Sequence, residues 1–154
     1  MKKFIQVLCA LFMAFSLCGC SETFEDRNGA ENTSLNTITN EDILAKSITS
    51  SGLEYTETNF MGITTFEYHD NNFNGVEEVF YVDYFLPSHV EVSVNYIELE
   101  SGNFRMYVIN EGKILKEIEN GVFAESYIFE DITGEFYIRV AGESAKVEFD
   151  FDVY

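Results

Sequence analysis

The chain has 154 residues, with 9 Lys and Arg against 27 Asp and Glu and a formal net charge of -18. That length makes about one domain, and the charge excludes a nucleic-acid binder, which needs a basic stripe to displace counterions from phosphates. An apolar content of 46% with 16% aromatic residues excludes a wholly disordered acidic chain, because there is apolar surface enough to offset ordering entropy.

The chain opens on Met1-Lys2-Lys3, runs through apolar residues from Phe4 to Leu17 broken only by Gln6 and Ser16, and reaches Cys18-Gly19-Cys20. A positive start, a short apolar stretch and a small-residue cleavage site form a secretory signal peptide. The apolar run is shorter than the ~20 residues that span a bilayer. Leu17-Cys18-Gly19-Cys20 resembles a bacterial lipobox, with Leu three residues before an invariant Cys and a small residue just before it.

The resemblance implies a signal peptide over residues 1–19, cleavage before Cys20 and a diacylglycerol on the Cys20 thiol. Two acyl chains suffice for stable attachment. The protein is thus expected on the bacterial cell membrane, lipid-anchored and facing outside the cytoplasm. The resemblance also implies that Cys9 and Cys18 leave with the signal, so no free thiol remains for thiol catalysis or zinc-thiolate binding. Losing Lys2 and Lys3 and no acidic residue takes the charge from -18 to -20.

Residues 20–51 are rich in Ser, Thr, Asn, Asp and Glu and read as a flexible acidic tether. A short helix is expected inside it over residues 40–47. Thr39 caps it with Asp42 three positions on, and Ile38 and Ile43 occupy the two positions of a hydrophobic staple. Two turns are marginal alone.

From Gly52 the hydrophobic period becomes two, the signature of half-buried strands. Residues 63–69, 76–86 and 89–99 come first; within the last, Val90, Val92, Val94 and Tyr96 are expected to face inward before the apolar set shifts by one to Ile97 and Leu99. A shift of one residue inside a strand predicts a β-bulge or a bend between sheets. Residues 104–109 and 114–118 flank Asn110-Glu111-Gly112-Lys113, a hairpin turn. Residues 122–129 follow Asn120-Gly121. Phe136, Ile138 and Val140 then alternate with Glu135, Tyr137 and Arg139, and Val147, Phe149, Phe151 and Val153 alternate with Lys146, Glu148, Asp150 and Asp152. Ala141-Gly142-Glu143-Ser144 between these last two predicts a C-terminal hairpin.

Short strands at even spacing, with no convincing helix, make residues 52–154 all-β: an antiparallel immunoglobulin-like β-sandwich of about 7–8 strands, with a small β-barrel as the alternative. The Cys pair and core Trp of true immunoglobulin domains are missing. The layout resembles small β-sandwich lipoproteins of bacteria with AT-rich genomes, a resemblance that transfers no site.

Chemistry-bearing strings are few. Asp70-Asn71-Asn72-Phe73-Asn74-Gly75 matches the first six positions of a calcium loop, with oxygens at Asp70, Asn72 and Asn74 and Gly at the sharp turn. Glu78 falls at the ninth position, but Tyr81 stands where a bidentate Glu belongs. Ordinary turn chemistry explains the same residues. No other cofactor is implied. Carboxylates two apart on a strand, such as Glu98 with Glu100 or Asp150 with Asp152, lie about 6.6 Å apart on one face; an acidic β-protein produces such pairs automatically. His69 and His89 sit at strand edges and are expected to face solvent. Neither Gly-x-Ser-x-Gly nor His-Glu-x-x-His occurs.

The stretch from Val76 to Leu86 is apolar on both faces. Either a loop or the tether covers its second face, or Tyr81 and Phe85 form an exposed aromatic strip suited to a glycan or a partner protein. The sequence thus predicts a non-catalytic binding or interaction module. The alternatives are a structural accessory subunit of an envelope complex and an acidic-pair hydrolase.

Overall fold

The computed structural model describes residues 35–60 and 63–154; the expected signal peptide, Cys20 and the expected tether up to residue 34 lie outside them. The elements are one short helix α1 (Asn40–Ala45) and strands β1 (Glu54–Phe60), β2 (Ile63–Asn110), β3 (Lys113–Ile118) and β4 (Phe123–Val153). β2 and β4 are long ribbons that bend several times.

Their winding starts at Glu111-Gly112, both at positive φ (48° and 68°), as a tight two-residue hairpin turn requires. Asn110 faces Lys113 across it. From this tip the two arms run back antiparallel through Met106↔Ile118, Tyr96↔Phe123, Tyr84↔Gly134, Glu78↔Arg139, Asp70↔Val147 and Thr64↔Val153. That is one long hairpin. A second set of pairs, Val92↔Val153, Ile97↔Phe149, Phe104↔Gly142 and Asn110↔Phe136, gives β4 a partner on its other side as well. The hairpin is therefore rolled up on itself. Residues 63–70, 145–153, 88–99 and 123–130 lie side by side in one sheet, with β1 at its edge. Residues 75–84, 134–142, 103–110 and β3 form the other.

The fold is all-β and antiparallel, as expected, and the winding within it is that of a jelly roll. The 110–113 hairpin is where the sequence placed it. The C-terminal hairpin is a correction: Val140 pairs with Glu77 and Met106, whereas Phe149 pairs with Tyr68 and Ile97. Ala141–Ser144 carries the chain from one sheet to the other. Both flanking stretches are central in their sheets and take partners on each side, which pairing with one another would forbid. Gly142 makes the crossing tight, since a Cβ there would collide with the Phe73 ring.

Alternation fills the space between the sheets. Phe66, Val92, Val94, Phe149 and Phe151 from one and Phe104, Met106, Phe136, Ile138 and Val140 from the other are buried together. Rings meet across the gap: Phe66 with Phe80 at 5.8 Å, Phe104 with Phe149 at 5.1 Å and Phe129 with Phe136 at 6.1 Å between centroids. Each such pair adds about 0.5–1.5 kcal/mol beyond area burial. The anticipated bulge is present. Val94 pairs with Phe151 and Tyr96 with Asp150, so Asn95 is the extra residue; Tyr96, expected inward, instead shares the outer face with Asp150, and Ile97 returns to the core. A second bulge, at Val79, lies between Glu78↔Arg139 and Phe80↔Ile138.

Residues 35–53 are where the structure departs from a solvated tether. Thr39 and Asp42 form the expected capping box on α1, and Lys46 closes the helix in the left-handed conformation. Ile38 and Ile43 are buried against Val76, Tyr107, Ile109 and Ala141 on the outer face of the second sheet. Two polar clamps hold this strap. The Glu143 carboxylate accepts from the backbone N–H groups of Asn36, Thr37 and Ile38 and from the side chains of Thr37 and Asn103. The Arg139 guanidinium, 7% exposed, donates to the Ile43 and Leu44 carbonyls at 2.8 and 2.6 Å and to Glu78 at 2.9 Å. Downstream, Ser51 exchanges backbone hydrogen bonds with Asn74, and Val76 donates to Ile48.

Partial burial pushes the Glu143 carboxyl up, but hydrogen bonds from Asn36, Thr37 and Asn103 outweigh it and hold it down at about 2, from an ordinary 4.5. A depressed carboxyl stabilises fully above its unfolded pKa and loses that effect as pH falls through its folded one. Glu143→Gln should therefore have a lower urea midpoint than the parent at pH 6, and the difference should close between pH 4.5 and 2. Arg139→Ala strands the Glu78 carboxylate and two helix carbonyls, and should cost about 3 kcal/mol in urea unfolding. Arg139→Lys should recover only part, because an ammonium cannot reproduce the two-sided fork.

Candidate functional site

The bulge at Val79 sets the faces of the residues that follow. Val79 and Phe80 both pack on the core, followed by Val82 and Tyr84. Tyr81, Asp83 and Phe85 point the other way, onto the face that carries α1. The strap covers the start of this stretch at Val76, and beyond it the residues are open: Tyr81 is 50% exposed, Phe85 93% and Leu86 75%. Both readings of the doubly apolar strand are thus realised, on successive parts of it.

Tyr81 lies opposite Tyr137, with ring centroids 5.1 Å apart and planes at 33°. The Arg139 guanidinium sits 4.6 Å from the Tyr137 ring centroid. One step further along, Asp83 lies directly opposite Glu135, a like-charge cross-strand pair that opposes sheet pairing. A hydrogen bond to Glu135, then desolvation and the Glu135 charge, push the Tyr137 phenol up to about 12. Desolvation first, then the charges of Glu135, Asp83 and Glu78, raise Tyr81. Both phenols stay neutral at ordinary pH, with the Tyr137 O–H donating to Glu135.

Phe85 and Leu86 end the strip at the corner leading to residue 88, where Ser88 Oγ donates to the Leu86 carbonyl at 3.0 Å. The hairpin tip is fastened beside it. Glu111 N–H donates to the Glu135 carbonyl at 3.0 Å, Glu135 N–H to Glu111 Oε1 at 2.9 Å, and Asn110 Nδ2 to the Thr133 carbonyl at 2.8 Å. The result is a firm platform of ring faces, two carboxylates and exposed apolar carbons. It is suited to holding a ligand against its surface.

The calcium-loop residues lie elsewhere. Asp70 Oδ1 accepts from Asn72 N–H, Asn74 Oδ1 accepts from Ser144 N–H, and Asn74 Nδ2 donates to the Asn72 carbonyl. Asp70 Oδ2 is buried without a hydrogen bond, while the Glu78 carboxylate is turned to Arg139. Asp70, Asn72 and Asn74 thus share one loop and Glu78 does not join them. Among the described residues, no group of three or more His, Cys, Asp or Glu is placed to hold a metal ion.

Asp150 and Asp152 are bridged by Asn95 Nδ2 at 2.6 and 3.1 Å. Glu100 pairs with Lys146. His69 and His89 face solvent, beside Glu54 and Glu130 respectively. A cleft of about 300 Å³ runs under the strap between Ser50, Leu53, Glu57, Tyr68, Glu77 and Val79. Ser50 Oγ donates to Glu77 within it, and Tyr68 donates weakly to the Val79 carbonyl at 3.4 Å.

No family model matches the chain, and no curated protein matches it. Among solved structures, the Drosophila melanogaster CENP-C cupin domain is similar at 13% identity over 64% of this chain and 74% of that one, with a TM-score of 0.28. A second structure of that Drosophila melanogaster CENP-C domain is similar at 12% identity over 80% and 86%, with a TM-score of 0.32.

Side chains this exposed contribute little to folding. Phe85→Ser and Leu86→Ser should each shift unfolding free energy by less than about 0.5 kcal/mol. Phe136→Ala, in the core, should cost about 3–5 kcal/mol. Urea melts of the three variants check the contrast.

Proposed function

We propose that the protein is a lipid-anchored binding module on the outer side of the bacterial membrane, attached through Cys20 and without catalytic activity of its own. The binding part is carried by one observation, the open strip of Tyr81, Phe85 and Leu86, backed by the half-buried Tyr137, on a well-fastened sheet. Exposed apolar side chains grouped beside polar ones are a usual mark of an interaction surface. The anchoring part is supported by the lipobox resemblance at Leu17-Cys18-Gly19-Cys20. The acidity fits the same reading: anionic lipid repels a strongly negative domain, leaving the acyl chains to do the attaching.

Two substitutions test the two halves separately. Cys20→Ala should abolish metabolic labelling with palmitate and move the protein from the membrane fraction to the soluble extracytoplasmic fraction; retention in the membrane would refute the anchor. Phe85→Ser combined with Leu86→Ser should leave membrane attachment and urea stability unchanged while abolishing co-purification of partners from envelope extracts. Unaltered co-purification would refute the strip as the binding surface.

A further inference from the structure

We infer that the strip recognises a basic segment of a partner protein, an extended stretch in which Lys or Arg side chains flank an apolar residue. This rests on the binding-module reading above and adds the chemistry of the partner. Asp83 and Glu135 stand directly opposite each other in the ladder; Glu135 accepts a hydrogen bond from the Tyr137 phenol, but among the described residues no ion pair reaches either carboxylate. Nearby Arg139 is already committed to Glu78 and to the Ile43 and Leu44 carbonyls. The repulsion between the two carboxylates is left for a cation from outside to relieve.

The neighbouring rings suit the same visitor. Tyr137 already holds a guanidinium 4.6 Å from its centroid, and the half-exposed Tyr81 ring tilted against it offers another aromatic face to a cation. Phe85 and Leu86 then give an apolar residue its contact. From Tyr81 to Phe85 the strip measures about 13 Å, the length of four or five residues of extended chain. A neutral glycan could stack on the rings but would bring the carboxylates no counter-charge, and an anionic lipid surface would be repelled by them.

The position in the fold leaves the strip accessible. The strap is clamped to Glu143, just past one end of residues 134–142, whereas Tyr84, beside Phe85, pairs with Gly134 at the other end. Those two ends are ~26 Å apart along the strand. The Phe85 end of the strip therefore lies remote from where the strap joins the fold, while its Tyr137 end abuts the strap.

The test uses the full-length protein in its own cells, with the photo-crosslinker p-benzoylphenylalanine in place of Phe85. Light should give an adduct to a protein, with mass spectrometry locating the link in a peptide that carries Lys or Arg beside an apolar residue. In the Asp83→Asn, Glu135→Gln background the yield should fall at least five-fold. A charge-matched control on the other sheet, Glu67→Gln with Glu148→Gln, should change it less than two-fold. Urea midpoints of both double variants confirm folding.

Adducts to glycan, lipid or a second copy of the chain would overturn the inference, as would a protein adduct with equal losses in both double variants. In those cases the strip is still a binding surface. An absence of any adduct would overturn the binding reading along with it. Repeating the experiment with Cys20→Ala separates these outcomes from any failure of anchoring.

Discussion

The turn at Glu111-Gly112 fixes a register that the rest of β2 and β4 must keep. Each corner on one arm of the rolled hairpin has to be matched by a corner on the other, so that Asp70 still meets Val147 after the crossings between them. Because β4 is also paired on its second side, an error at one corner would propagate into both sheets. The tip is held accordingly. Asn110 and Glu111 bond to Thr133 and Glu135 through side chains as well as backbone, which keeps Glu111 in a positive-φ conformation that few non-glycine residues adopt.

Much of this was legible in residue order. The clean alternation of Val147, Phe149, Phe151 and Val153, the slip in phase before Ile97 and the Glu111-Gly112 turn each carry their structure locally. The winding did not show, because Ala141–Ser144 has the same small and polar composition whether the chain doubles back or crosses to the facing sheet. The docking of the strap was legible only in part, as one of two readings of the doubly apolar stretch from Val76 to Leu86. Ile38 and Ile43 announced a helix cap, but the groove they fill is assembled from Val76, Tyr107, Ile109 and Ala141 on separate strands. The unbroken run Met106-Tyr107-Val108-Ile109 was the available sign, since strands covered on both faces lose their alternation.

The candidate site divides in the same way. Tyr81 and Phe85 stood out because aromatic residues on the second face of a strand need an explanation. Tyr137, opposite Tyr81, and Glu135, opposite Asp83, sit more than fifty positions away from them and become neighbours only through the rolled register. Arg139 shows how closely site and scaffold are joined. One guanidinium ends α1, neutralises Glu78 and lies against Tyr137, so the strip begins where the strap's anchorage stops.

The bulge at Val79 has an effect larger than its single residue. A ribbon presents alternate side chains to alternate sides, so each added residue would normally reverse everything beyond it. By letting Val79 and Phe80 share the inner side, the bulge absorbs that reversal. Val76 and Glu78 before it and Tyr81, Asp83 and Phe85 after it all look outward together. In effect the chain has room for one more core side chain without losing step, and the covered and open halves of its outer surface form a continuous track.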